Sequence, residues 1–282
     1  MAVTIVHDNY GKSRVRLMKV ARRGALHEIQ EITVKIAFEG EFISVHTVGD
    51  NSQVLPTDTM KNTVYALAHQ TQEIEEIEIF GLRLAKHFLT NNPPVAQVII
   101  EIAEHAWTRM DVGGQPHQHS FTKGSDEKRT TKVSATRDGA VIEIESGIED
   151  LIVLKTTKSG FVGFIKDQYT TLPEMADRIF STSIKAIWRY ANIDAAGDVW
   201  RNVRQTIIET FAKHDSLSVQ HTLYAIGETV LEKFPIVAEI SISMPNIHYL
   251  PIDFSRFGLE NDNRIFLPTD EPHGLIEARL KR

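Results

Sequence analysis

The chain has 282 residues, 42% of them hydrophobic and 24% charged, with a formal net charge of −6 and no cysteine. That length holds one large core or two ordinary domains. The missing cysteine excludes disulfides, thiolate metal sites and a cysteine nucleophile, and the acidic balance argues against a general nucleic-acid surface. No apolar run approaches a bilayer span, and the stretch Met1–Lys12 lacks a secretory core, so a soluble cytoplasmic protein with neither nucleic acid nor membrane as partner is expected.

Val15 and Leu17 alternate with Arg14 and Arg16, and beyond a turn near Gly24 the series Ile32, Val34, Ile36, Phe38 alternates with Thr33, Lys35, Ala37 and Glu39. A period of two predicts a β-hairpin with one covered face. Met60, Val64, Leu67 and Ala68 then follow Pro56-Thr57-Asp58 at helical spacing. Ile77, Phe80, Leu84 and Phe88 predict a second helix, stopped by Asn91-Asn92-Pro93-Pro94. Val95–Ile102 reads as an apolar strand and Gly113–Arg129 as a polar stretch. Asp138-Gly139 is the turn signal of another hairpin, between Val133 and Val141.

Phe161–Ile165 and Ile179–Tyr190 read as strand material. Val199, Val203, Ile207 and Phe211 mark a third helix, and Leu223, Ile226 and Val230 a fourth, ended by Pro235 before a strand at Ile240. The segment from Pro94, Pro-Val-Ala-Gln-Val-Ile-Ile-Glu-Ile, is echoed from Pro235 by Pro-Ile-Val-Ala-Glu-Ile-Ser-Ile-Ser. Each follows a helix pair and opens a strand. Two similar units, 1–140 and 141–282, are expected, each a sheet with two helices on one face.

Phosphate-cradling, nucleophile-elbow and paired-histidine zinc motifs are absent. His117 and His119, with His105 nearby, could face a metal, but no further ligand falls at a convincing spacing, and hydrogen-bonded loop histidines are the plainer account. Thr57 and Asp58 stand at a helix start. One of them is an N-cap, or the open N–H groups there attract an anion. Val219-Gln220 offers the same opening at the fourth helix. Lys12 and Arg178, each at a strand start, are solvated cations by default, and Phe161 in Gly160-Phe-Val-Gly-Phe is by default core. The stretch Met244–Phe254, MPNIHYLPIDF, resists such accounts. Ile240, Ile242 and Met244 share a strand face, and the same parity reaches Asn246 and His248. A buried amide and imidazole cost free energy unless something satisfies them.

An ordered set of short motifs resembles the urate oxidases (uricases). It begins with Tyr10-Gly11-Lys12 with Val15-Arg16, Thr57-Asp58 with Lys61-Asn62-Thr63, and His117-x-His119-Ser120-Phe121. It continues with Leu154-Lys155-Thr156-Thr157, Phe161-x-Gly163-Phe164, Tyr169-Thr170-Thr171-Leu172 and Asp177-Arg178, then Ser218-Val219-Gln220, Pro245-Asn246-x-His248-Tyr249 and Gly274-Leu275-Ile276. The resemblance implies an α+β chain of tandem tunnelling-fold (T-fold) ββααββ units, antiparallel sheets with helices on one outer face. It implies a homotetramer that closes a β-barrel tunnel, with active sites at subunit interfaces. The implied reaction oxidises urate with O2 and water to 5-hydroxyisourate and hydrogen peroxide, with no metal and no organic cofactor. The lack of a Ser-Lys-Leu tail is similar to bacterial members.

The implied roles have physical sense. Arg178 forks onto one edge of a planar anion, Gln220 offers donor and acceptor to another, and Phe161 stacks on the ring. Backbone amides of Thr57, Asp58 and Val219 complete the edge contacts, and Leu172 and Ile276 line an apolar wall. Asn246 holds O2 and then water, while Lys12, Thr57 and His248 form a proton relay. Two rival readings carry different chemistry: a zinc-dependent purine or pterin enzyme on the same fold, with histidines of the His105–His119 region as ligands, and a purine-binding protein without catalysis.

Overall fold

The computed structural model describes residues 3–139, 142–191 and 196–282; Val141 and residue 140, at the expected unit boundary, lie outside them. The alternating residues of the first hairpin form β1 (Tyr10–Arg23) and β2 (Leu26–Gly40), and the covered parity is Val34, Ile36 and Phe38, each no more than 1% exposed. A five-residue helix, α1 (Ile43–Thr47), precedes α2 (Thr57–Gln70) and α3 (Ile77–Asn91). Met60, Val64, Ile77, Phe80, Leu84 and Phe88 are the buried helical stripe, at the spacing an amphipathic helix requires. β3 (Val95–Val112) and β4 (Gln115–Thr136) extend the antiparallel sheet in the order β1-β2-β3-β4.

The second unit repeats the plan with β6 (Phe180–Tyr190), α4 (Ala196–Lys213), α5 (Val219–Lys233) and β7 (Val237–Ser243). β8 (Asn246–Pro251) pairs with β6 and with β9 (Phe266–Gly274), while β10 (Glu277–Lys281) pairs with β7. The main division between two compact units falls between Gly147 and Ile148, inside β5 (Ile142–Lys155), while the first residues of α4, 196–198, group with the first unit. The two helix-to-strand junctions match in detail. Asn92 closes α3 at φ −129°, ψ 86°, and Phe234 closes α5 at φ −119°, ψ 85°. Each donates its N–H to the residue four back, Phe88 at 3.1 Å and Val230 at 3.0 Å. Each junction also meets a register shift in its sheet, at Glu39/Gly40 and at Arg189/Tyr190. No described helix is long and apolar enough to cross a membrane.

Two expectations differ from the fold. Residues 113–129, read as a polar stretch, are largely strand: β3 and β4 continue as one long hairpin turning at Gly113-Gly114. Its outer part is exposed on both faces, so alternating hydrophobicity, the usual mark of a strand, is lost there. Phe161–Ile165 is an irregular loop whose ladder contact is the isolated bridge Phe161↔Met175.

The first unit buries a charge cluster. Arg129 Nη2 meets Glu78 Oε2 at 2.6 Å and Glu76 Oε2 at 2.5 Å, and Nη1 lies 3.9 Å from Glu104 Oε2. Glu78 is 0% exposed, and its other oxygen accepts from Ser146 Oγ. Burial raises the Glu78 carboxyl pKa, although Arg129 and Ser146 pull the other way. A carboxyl whose folded pKa is raised contributes stability that is complete below the unfolded pKa and is lost as pH rises through the folded value. Glu78→Gln is therefore expected to melt close to the parent at pH 4 and above it at pH 8. Thermal unfolding of both proteins across that range checks it, and a gap that shrinks with pH would reverse the assigned sign.

Candidate active site

In the first unit, Lys12 owes its direction to a β-bulge. Lys12 opposes Ile36 and Val15 opposes Val34, so three steps along β1 match two along β2. Arg14 takes up the extra residue with φ of 58°. Ile36 and Val34 are both core, and the bulge thus puts Lys12 and Val15 on one face despite their odd spacing. Gly11, beside it, admits no side chain: a Cβ there would lie 1.9 Å from the Ile36 carbonyl oxygen.

Lys12 acts electrostatically on Asp58, at the start of α2. The cap position of that helix is Pro56, with no side-chain capping bond, so neither Thr57 nor Asp58 is the N-cap. The Asp58 carboxylate instead accepts from Lys61 Nζ and, at 2.9 Å, from Asn62 Nδ2. Lys61, and after it Asn62 and Lys12, hold that carboxyl below the ordinary range. Helix geometry leaves the N–H groups of Thr57 and Asp58 without intrahelical acceptors, directed out of the helix end. The approach to this end is pinned by Tyr10, whose hydroxyl accepts from the Leu55 N–H at 3.0 Å and whose ring packs edge-on to Phe42 at 4.7 Å.

In the second unit, one loop carries Phe161 and Arg178. Phe161 exchanges backbone bonds with Met175, N–H to O at 2.7 Å and O from N–H at 3.1 Å, and the Arg178 N–H donates to Ser159 at 2.7 Å. Asp177 braces the same turn, accepting from Thr157 Oγ1 at 2.6 Å and from the Ser159 N–H at 3.2 Å. The Arg178 guanidinium carbon stands 5.6 Å from the Phe161 ring centre, and Phe164 stacks on that ring at 4.9 Å with an 11° tilt.

The loop is tied to the start of α5. The Gly160 N–H donates to Ser216 O at 2.8 Å, and the Ser216 N–H donates to Lys158 O at 2.9 Å. Buried Ser216 shares its hydroxyl with Thr222 Oγ1 at 2.5 Å, and Thr222 Oγ1 lies 3.1 Å from His214 Nδ1. Ser218 caps α5 by accepting from the His221 N–H at 3.1 Å. The N–H groups of Val219 and Gln220 remain outside the helix ladder; Val219 buries its side chain while that of Gln220 is exposed.

Asn246 and His248 stand on β8. β7 ends at Ser243, and the proline at 245 offers no N–H to a ladder. The register nevertheless runs on without slip: Lys185 opposes Ser243, and three residues back along β6 Thr182 opposes Asn246. Against β6 the parity read from Ile240 therefore survives the interruption as far as Asn246, while the pairing of β8 with β9 shifts between Asn246 and His248. The Asn246 Nδ2 and His248 Nδ1 atoms are 3.5 Å apart. Burial, with the charges of Arg178 and His273, lowers the His248 pKa. Ile276 packs against the second-unit core and its carbonyl accepts from the Met244 N–H at 2.8 Å, whereas Leu172 is half-exposed.

The other histidines serve locally. His105 Nε2 lies 2.9 Å from Thr33 Oγ1, and the His117 and His119 rings meet edge-on at 4.6 Å. Among the described residues no three His, Asp or Glu side chains converge as metal ligands. Tyr10, Phe164, Asp177 and Ser216 were not singled out as supports by sequence reasoning; a buried serine or a bracing aspartate has no periodic signature.

The uricase family model matches residues 8–134 and 144–277. Uricase of Oryctolagus cuniculus is 40% identical over 288 residues, spanning 99% of this chain and 95% of its own. Uricase of Arthrobacter globiformis is 41% identical over 281 residues, spanning 99% and 90%. The crystal structure of the Arthrobacter globiformis uricase matches with a TM-score of 0.93 at 40% identity, over 100% of this chain and 96% of that one. A urate oxidase structure from Bacillus sp. TB-90 matches with a TM-score of 0.87 at 25% identity, over 98% and 99%. The chain belongs to the uricase family, and its activity is the oxidation of urate.

Proposed function

We propose that the chain converts urate, O2 and water to 5-hydroxyisourate and hydrogen peroxide without metal or organic cofactor, in a cytoplasmic homotetramer whose sites lie where protomers meet. The first-unit cluster of one protomer, Lys12, Thr57 and Asp58, faces the second-unit cluster of another. Arg178 and Gln220 grip the edges of the purine, Phe161 stacks on its face, and the open N–H groups of Thr57, Asp58 and Val219 bind its oxygens and nitrogens. Leu172 and Ile276 supply the apolar wall. A flat, delocalised urate anion can itself give electrons to O2, so the protein supplies orientation, charge stabilisation and proton transfer.

One observation carries the reading: Asn246 and His248 lie two residues apart on β8 with their side chains 3.5 Å from one another, and the Arg178 charge acts on the imidazole. A lone core histidine has no need of an adjacent amide and a guanidinium. In the proposed order, Asn246 holds O2 and then water above the ring, while His248, Thr57 and Lys12 pass a proton from urate or water and return it. Mixing the protein with urate in an oxygen electrode tests this: near-ultraviolet absorbance falls, O2 is consumed and peroxide appears. Binding without O2 uptake would sink it.

The acid limb of turnover follows from His248. Its lowered pKa keeps the ring neutral, able to accept a proton, to lower pH than an ordinary histidine. The pH profile of kcat/KM, which reports the free enzyme's groups, is expected to fall only below the usual imidazole range. A limb centred at or above that range would remove His248 as the acceptor.

A further inference from the structure

We infer that Thr182 is a positioning residue for the oxidation, holding the Asn246 carboxamide in one orientation; the inference rests on the function proposed above. Two hydroxyls of β6, Ser181 Oγ and Thr182 Oγ1, are wholly buried and have no hydrogen-bond partner among the described residues. Such burial is costly, and each case asks for a reason. The two residues are consecutive on a strand, so their side chains point to opposite faces.

Register separates them. Thr182 opposes Asn246, and Ser181 opposes Ile247. Directly opposed residues share a face, with Cβ atoms about 5 Å apart. Phe180 and Ile184, on the Thr182 side, belong to the core that also contains Val203 and Ile207 of α4 and Leu223 and Ile226 of α5. The Thr182 hydroxyl is thus set in the floor beside the Asn246 side chain, and branching at Cβ limits its rotation.

Asn246 is otherwise loosely held. Its contact with His248 is 3.5 Å, long for a hydrogen bond. An amide with that single tie exchanges its two ends at little cost. The Thr182 hydroxyl makes no such bond in the resting structure; when Asn246 turns to engage O2, a hydroxyl proton given by Thr182 to Asn246 Oδ1 fixes the oxygen towards the floor and turns the NH2 group towards the reacting oxygen species. Ser181, on the other face, cannot do this and serves as an internal control.

The test is steady-state O2 uptake with urate by the full chain. Thr182→Val keeps the shape and removes the hydroxyl. It is expected to lower kcat about tenfold, to leave KM for urate within about twofold, and to melt no lower than the parent. Thr182→Ser retains turnover, and Ser181→Ala stays within about twofold of the parent. In an Asn246→Ala background, adding T182V brings no further loss. Parental kcat in T182V, equal losses in T182V and T182S, or a T182V loss that persists undiminished beside N246A each overturn the inference. If T182V does not fold, Thr182→Ala enters the same comparison. A parent chain that binds urate without consuming O2 overturns the functional reading itself, and the role of Thr182 with it.

Discussion

Lys12→Met is expected to lower turnover by about 100- to 10,000-fold, the span ordinarily lost with a group that moves protons, while binding of a non-oxidisable urate analogue changes little. The argument starts from the bulge. Without the extra residue at Ser13-Arg14, strand parity would send Lys12 and Val15 to opposite faces, and only one of them could look towards α2. With it, Lys12 shares the face of Ile36 and reaches the electrostatic range of Asp58. In the proposed relay, an ammonium there would favour loss of the Thr57 hydroxyl proton, as an adjacent cation lowers the pKa of an acid. Methionine keeps the length of the side chain and its packing but carries no charge, so the fold and the analogue cradle persist. Stopped-flow turnover and analogue titration read the two quantities separately. Unchanged turnover removes Lys12 from the relay; equal loss of binding and turnover makes it a substrate ligand instead.

The architecture was legible where one periodicity ruled. Val34, Ile36 and Phe38 announce a covered strand, and Ile77, Phe80, Leu84 and Phe88 a covered helix, because each pattern has a single geometric solution. The outer half of the β3–β4 hairpin was not legible, since a strand exposed on both faces has no reason to alternate. Nor was the loop at Phe161: two aromatics and a valine mimic a strand, while the chain is held by a few isolated backbone bonds, paired ones at Met175 and Ser216 and a single one at Ser159, and by no continuous ladder. At the candidate site, Asn246 and His248 were readable from parity alone. Lys12 was not, because its direction depends on a bulge at residues with no glycine to mark it. Thr57 and Asp58 illustrate a different limit. Their residue types fit an N-cap so well that local chemistry favours that role, yet Pro56 holds the cap position and leaves their amides open.

Arg178→Gln tests the other half of the proposed cradle, and expected losses are larger in kcat/KM than in kcat. Removing one partner of a desolvated, hydrogen-bonded charge pair costs about 2–5 kcal/mol, which is roughly 30- to 5,000-fold in kcat/KM. The guanidinium is already partly stripped of water beside Phe161, so its pairing with a bound anion meets little further desolvation. Glutamine retains hydrogen-bonding capacity without the charge or the fork. The same variant separates a site shared by protomers from one confined to a protomer. In the shared arrangement, a K12M subunit contributes a damaged first-unit cluster but an intact second-unit cluster, and an R178Q subunit the reverse. A mixed pair of such subunits then contains one doubly damaged site and one site built wholly of parental residues. Random mixing makes half the pairs mixed, so about a quarter of all sites regain parental composition. Co-refolding two nearly inactive variants is therefore expected to restore about a quarter of parental turnover. Sites confined to single protomers predict no recovery at any mixing ratio, and that result would refute the interface while leaving the assignment of Arg178 to urate intact.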